Sequence, residues 1–352
     1  MEIFGEPMII MRWFMKKLSK QAIFLIVLLY VAVSYSLTDD IKQNRVLFEN
    51  SFRQFLQDVK KNSIKNKDWS EVDWKGYIKN QLQNLPISNE EEFYEVVKEA
   101  LHDLKDNHSN IMKNSNDKYD LITNQPVNSY ANLIYVEDGV GIIKLTTYMI
   151  NVISQEDALS EYVVKQYHER LAKIKSAVSK GWIIDLKDNA GGNMYPMLAC
   201  LSDFLSNKPI GGFYMYEHSK RPSKQIILFD GKNFLFNKQI ALSYKNYYSI
   251  GTITLPTVVI ISNKTASSGE FVALALARQP NVILIGQPSA GLATANIPIE
   301  LPNKLGYYAL TVGYYLDKDN KPLLTEQVSP AILFSDPNEN LIEEAKKLIL
   351  KR

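Results

Sequence analysis

The feature that most constrains this chain is the alternation of strand-like and helix-like stretches through its second half. "GWIIDL" (181–186) and "TVVIIS" (257–262) are short, mainly apolar runs closed by polar turns. Each leads into a helical stretch, "MLACLSDFL" after the first and Phe271 to Arg278 after the second. Such alternation argues an α/β core. Ahead of it, "YVEDGVGIIKLTTYM" gives two apolar runs about a Gly-containing turn, followed by the helical stretch "LSEYVVKQYHERLAKIKSAVSK". Between the two core strands, "GGFYMYEHSKRPSKQIILFDGKNFLFNKQIALSY" reads as inserted hairpin-like β structure, a cap around 205–250. The tail, 336–352, is a closing amphipathic helix.

The first half has a different character. Ile41, Val46, Leu47, Phe52, Phe55, Leu56 and Val59 recur at helical spacing. "SNEEEFYEVVKEALHDL" opens with Ser88 as N-cap and places three glutamates in the first turn. Residues 38–115 are therefore expected to form a helical subdomain, with the core at 116–335. Before it, Arg12, Lys16, Lys17 and Lys20 precede the uncharged run "AIFLIVLLYVAVSYSL", which Asp39 and Asp40 follow. The asymmetry puts residues 1–20 in the cytoplasm and everything after the run outside. Residues 21–37 are either a single-pass anchor or a cleaved signal, because Ala32-x-Ser34 and Ser34-x-Ser36 resemble a signal-peptidase site. The anchor is preferred, with the protein at the cell membrane and its main domain extracellular.

Composition narrows the chemistry. Of 352 residues, 40 are basic and 38 acidic, a balance without the footprint of a nucleic-acid binder. The lone Cys200 excludes an internal disulfide framework. The four histidines, His102, His108, His168 and His218, show no metal-ligand spacing, so neither a metal nor another cofactor is expected.

Three stretches remain that chemistry can use. In "SNKTASSGEFVALALARQP", Ser267 stands three residues before Glu270 at a strand-to-helix joint. It fits a capping box, and equally a nucleophile where free amides and the helix dipole favour an oxyanion. In "IIDLKDNAGGNMYPM", Gly191 and Gly192 permit close approach of backbone N–H groups to a ligand, or simply an ordinary turn. In "LHDLKDNHSNIM", His108 lies in a polar, turn-like context.

Taken in order, "DNHS", "DLKDNAGGN", "TASSGE" and "IGQPSAG" resemble the motifs of family S41 serine peptidases, which include C-terminal processing and tricorn-type proteases. The likeness covers about residues 100–335, and "GGNMYPM" and "TASSGE" are most similar to the membrane-anchored nisin resistance branch, whose members cleave a lantibiotic near its C-terminus. It implies an S41-type α/β peptidase core without a PDZ domain, for which the roughly 27 residues between His108 and Tyr135 leave no room. It also implies Ser267 as nucleophile, with Ser268 the fallback, and His108 as base. The oxyanion hole falls to the N–H of Ser268 and of Gly191 or Gly192, and Asn193 and Met194 would bind substrate. Processing proteases place a lysine where this chain has Leu292, which shifts the burden to His108. The acid that orients the histidine in tricorn-type members falls near Glu326, and a Ser–His dyad without a third member is the alternative. Three functions fit: a peptidase that degrades an antimicrobial peptide, a housekeeping peptidase trimming exported proteins, or a non-catalytic peptide binder.

Overall fold

The structure is a computed structural model, and it describes residues 43–66, 68–112, 133–148, 156–206, 209–217, 220–244, 250–301, 305–336 and 339–351. The apolar run at 22–37 and His218 lie outside these residues. Among the described residues no helix is long and apolar enough to cross a membrane.

The chain divides into two compact units. One comprises the chain up to Gln57 together with Ser70–Ala100. It is built from helix α1 (43–62, through Gln57), α2 (Glu71–Gln81) and most of α3 (Glu90–Asp103). Its interior is aromatic: Phe48 stacks obliquely on Phe93 at 5.9 Å, and the Tyr77 hydroxyl donates to the Ala100 carbonyl at 3.0 Å. The cap of α3 is Asn89 rather than Ser88, since Asn89 Oδ1 accepts the Glu92 amide at 2.9 Å. The Ser88 amide instead donates to the Glu92 carboxylate at 2.8 Å. Helix α3 ends at Asp103, and Asn110–Met112, within the 38–115 expected as a helical subdomain, form strand β1.

The second unit, Asp58–Trp69 with Leu101 onward, holds two sheets. The first comprises β2 (Ile134–Glu137), β3 (Val140–Lys144), β4 (Gly181–Asp185), β9 (Thr257–Ile261), β10 (Val282–Gly286) and β13 (Ile332–Leu333). Its order is β13-β10-β9-β4-β3-β2, all pairs parallel except the β2–β3 hairpin. Every residue of β4 and β9 is buried, as a parallel strand covered on both faces requires. Alternation then sorts the side chains. Trp182 and Ile184 pack with α4 (Glu156–Ile174), α5 (Met194–Cys200) and α6 (Ser268–Ala277). Ile183, Val258 and Ile260 face Ala345 and Ile349 of α7 (Leu341–Leu350) on the opposite side.

The second sheet adds β5 (Pro209–Glu217), β6 (Lys220–Phe229), β7 (Asn233–Phe236), β8 (Gln239–Ser243), β11 (Thr294–Glu300) and β12 (Tyr307–Tyr315). Strands β5 to β8 form an antiparallel meander continuing the order β1-β12-β5-β6-β7-β8, with β11 also on β12. The stretch expected as a cap is thus part of a sheet that also carries β1, next to His108. The mixed α/β architecture, the helical N-terminal region and the β-rich insertion all match the sequence reading.

Candidate active site

Ser267 sits where β9 turns into α6. The turn is laced to the loop after β4: the Thr265 hydroxyl donates to the Leu186 carbonyl at 2.8 Å, and the Ala266 amide to the Asn189 carbonyl at 2.9 Å. Ser267 itself has φ +50° and ψ −121°, a conformation that non-glycine residues rarely adopt and that costs on the order of 1–3 kcal/mol. A sharp, strained strand-to-helix turn of this kind lifts a side chain clear of the sheet.

Glu270 holds the turn from behind. Fully buried, its carboxylate accepts the Ser267 amide at 2.7 Å, the Gly291 amide at 3.2 Å, the Leu292 amide at 3.0 Å and the Ser289 hydroxyl. Burial pushes this carboxyl up to about 7, against the pull of those four donors. The Glu270 side chain therefore reaches back to the cap amide, as a capping box requires. The Ser267 hydroxyl meets the other candidate: its Oγ is 2.8 Å from His108 Nε2.

His108 is fixed from several sides. Asp106, buried, accepts the His108 amide at 3.1 Å, the Ser109 amide at 2.9 Å and the Thr311 hydroxyl at 2.9 Å, which locks the turn between α3 and β1. Asn296 Nδ2 donates to the His108 carbonyl at 2.9 Å. On the ring, Nδ1 lies 2.6 Å from Thr294 Oγ1. With Nδ1–H donating to that hydroxyl, Nε2 is left as the acceptor facing Ser267. Burial lowers the imidazole to about 4; the Asp106 charge opposes the shift and the Lys65 charge adds to it.

Glu326, the expected orienting acid, is elsewhere. Its carboxylate takes the Lys65 ammonium at 2.5 Å, and Thr294 occupies the place at His108 Nδ1. A neutral hydroxyl there can accept from Nδ1–H without adding a negative charge beside the ring. Thr294, Asp106 and Lys65 escaped the sequence reading. Only Asp106 carried a signal, being an Asp two residues before His108 in a turn that its side chain caps.

The glycine loop comes close to the serine. Gly191 has φ +100°, and a Cβ there would lie 2.8 Å from the Ala266 carbonyl oxygen and 2.9 Å from Ser267 Cβ. Its amide donates to Asn189 Oδ1 at 2.9 Å. Among the described residues the amides of Gly192 and Ser268 have no acceptor, and Gly192 is exposed. The Ser268 hydroxyl donates to the Gly192 carbonyl at 2.5 Å, joining the two segments. Beyond them, Asn193 Oδ1 caps α5 by accepting the Tyr195 amide at 3.0 Å, and Met194 packs against the core.

Gly269 sets how closely the helix approaches this loop, since a Cβ there would lie 2.7 Å from both the carbonyl oxygen and Oδ1 of Asn189. Gly269→Ala is expected to shift the start of α6, move Ser267 relative to His108 and lower kcat/KM for turnover at that serine by about 10²-fold. Steady-state kinetics on the folded variant would check it.

The other histidines stand apart. His102 is exposed on α3. His168 is buried, bonding the Ala199 carbonyl at 2.8 Å through Nε2, with the buried Ser202 Oγ at 3.3 Å. That second serine–histidine contact lies within the core. No group of three or more His, Cys, Asp or Glu among the described residues is arranged to hold a metal.

A hydroxyl held to an imidazole at the rim of an α/β sheet, beside unpaired amides, is the arrangement of the serine-hydrolase class. The family model Peptidase family S41 matches residues 139–334, more than half of the chain. The chain belongs to this family of serine-type peptidases. It is 30% identical over 169 residues to the nisin-resistance protein of Lactococcus lactis subsp. lactis, a match covering 48% of this chain and 51% of that protein. It is 24% identical over 196 residues to the carboxy-terminal processing protease CtpA of Bacillus subtilis (strain 168), covering 56% and 35% respectively. The chain thus spans about half the length of the first relative and about a third of the second. Among solved structures, a lipoprotein from Streptococcus agalactiae has the same fold, with a TM-score of 0.64 at 22% identity over 87% of this chain and 96% of that one.

Proposed function

We propose that the protein is an exported serine peptidase, anchored in the membrane by residues 21–37, that cleaves a lantibiotic-type antimicrobial peptide near its C-terminus and so confers resistance. The observation that carries the peptidase reading is the 2.8 Å contact between His108 Nε2 and Ser267 Oγ at a strained turn. Ser267 attacks the scissile carbonyl while His108 takes its proton, then returns it to the leaving amine; water repeats the cycle on the acyl-enzyme. The amides of Ser268 and Gly192 receive the oxyanion. Gly191 contributes its small size, its own amide being committed to Asn189. Asn193 and Met194, next along the chain, touch the bound peptide. Thr294 stands in for the third member, and Glu326 acts only through Lys65.

The substrate half of the proposal rests on the likeness to the nisin-resistance protein, and the anchor on the charge asymmetry around 22–37. Incubating the full chain with nisin and following products by mass spectrometry tests it. A truncated nisin lacking its C-terminal residues is expected. Intact nisin, alongside cleavage of the disordered tails of exported proteins, would favour housekeeping processing instead. A chain that a fluorophosphonate does not label at Ser267 would be a peptide binder.

A further inference from the structure

One row of side chains in the second sheet leads away from His108. Thr294 of β11 pairs with Tyr314 of β12, Tyr314 with Tyr214 of β5, and Tyr214 with Lys224 of β6. Directly paired residues of an antiparallel sheet share a face, so the four stand side by side on one surface. The opposite surface is accounted for. Phe213, the neighbour of Tyr214, points into the core against Phe271 at 5.4 Å and Tyr315 at 5.5 Å. Tyr214 and Lys224 therefore face away from the core. Exposure grows along the row: Thr294 is fully buried, Tyr314 is buried at 8% exposure, Tyr214 is half-buried and Lys224 is exposed. Among the described residues no carboxylate pairs with Lys224.

We infer that this row is the binding lane for the leaving, carboxyl-terminal fragment of the peptide, and that Lys224 takes its free terminal carboxylate. The inference rests on the peptidase reading above. Its direction follows from the chemistry: the imidazole that accepts the serine proton delivers it to the leaving amine, so the leaving fragment departs on the histidine side. The buried Thr294 hydroxyl ties the row to His108 at Nδ1, and the part of the row open to a peptide begins at Tyr214. Three inter-strand steps of about 4.8 Å separate Thr294 from Lys224, roughly 14 Å, the length of about four extended residues. The tyrosine rings offer flat, amphipathic contact to side chains along that path, and an unpaired ammonium at its end fits a carboxylate. The lane thus selects peptides cut a few residues from a free carboxyl terminus.

The test compares nisin as the free acid with nisin amidated at its carboxyl terminus. With the wild-type chain, amidation is expected to lower kcat/KM about tenfold, mainly through KM. In Lys224→Gln the ratio between acid and amide should fall to about one, and in Lys224→Glu it should invert. Tyr214→Ala should raise KM for both forms. Equal cleavage of acid and amide by the wild type would overturn the lane and leave the peptidase reading standing. If Ser267→Ala binds neither form and the wild type cuts neither, the lane is overturned together with the lantibiotic reading. Labelling of Ser267 by a fluorophosphonate then shows whether the peptidase reading survives.

Discussion

Ser267→Ala is expected to lower kcat/KM for peptide cleavage by roughly 10⁴-fold or more while the protein stays folded. The hydroxyl supplies the attacking oxygen, so its removal leaves only the electrostatic and binding contributions of the surrounding groups. The structural loss is small. The turn is held by the Ser267 amide on Glu270 and by the Ala266 amide on Asn189, both of which alanine retains. Stability should change by about 1 kcal/mol or less, read as the midpoint of urea unfolding. Ser268→Ala removes only the hydroxyl bond to the Gly192 carbonyl and keeps the amide, and should remain active. The opposite pattern, with Ser268→Ala dead and Ser267→Ala active, would move the nucleophile by one residue.

The second large effect concerns the base. His108→Ala should lose about as much as Ser267→Ala, because the two act as one unit. The wild-type pH profile should be unusual. Imidazole accepts a proton only when neutral, so kcat/KM falls as pH drops through the histidine's value in the free enzyme. Burial holds His108 near about 4 rather than 6.5, so the acid limb belongs near pH 4. At pH 5 about nine-tenths of the enzyme should still carry a neutral base, where an unshifted imidazole would be almost wholly protonated. Lys65→Met removes a cation that depresses the value, so the limb should move upward. A limb near 6.5 in the wild type, or one that persists in His108→Ala, would sink the assignment.

Much of this was legible in the sequence. The apolar runs at 181–186 and 257–262 announced strands of an α/β core, and the order of "DNHS", "DLKDNAGGN" and "TASSGE" placed Ser267 and His108 in one family pattern. Local chemistry carried that information, since each motif is a turn with its own residue demands. What stayed hidden was set by pairing across the chain. Thr294 is an ordinary β-branched residue in a strand until the sheet brings it to a histidine 186 positions away. Lys65 reads as one more surface lysine near the end of α1, yet it meets Glu326 across 261 positions. Glu326 reads as an acid for the histidine only because of its place in a motif. Sequence spacing cannot tell which of two basic side chains a carboxylate will choose.

The clamp formed by Glu270 has an evolutionary consequence. One carboxylate grips the amide of Ser267 and the amide of Leu292, two residues before the threonine bonded to the histidine. Drift in either segment is transmitted to the other through a single buried group. A lineage replacing its base at position 292 would have to rebuild the 289–292 loop without loosening the serine's turn. Changes tolerated at Ser289 or Leu292 should therefore depend strongly on what occupies position 270. In a library varying these three positions together, active sequences should appear as linked combinations rather than as independent choices at each site.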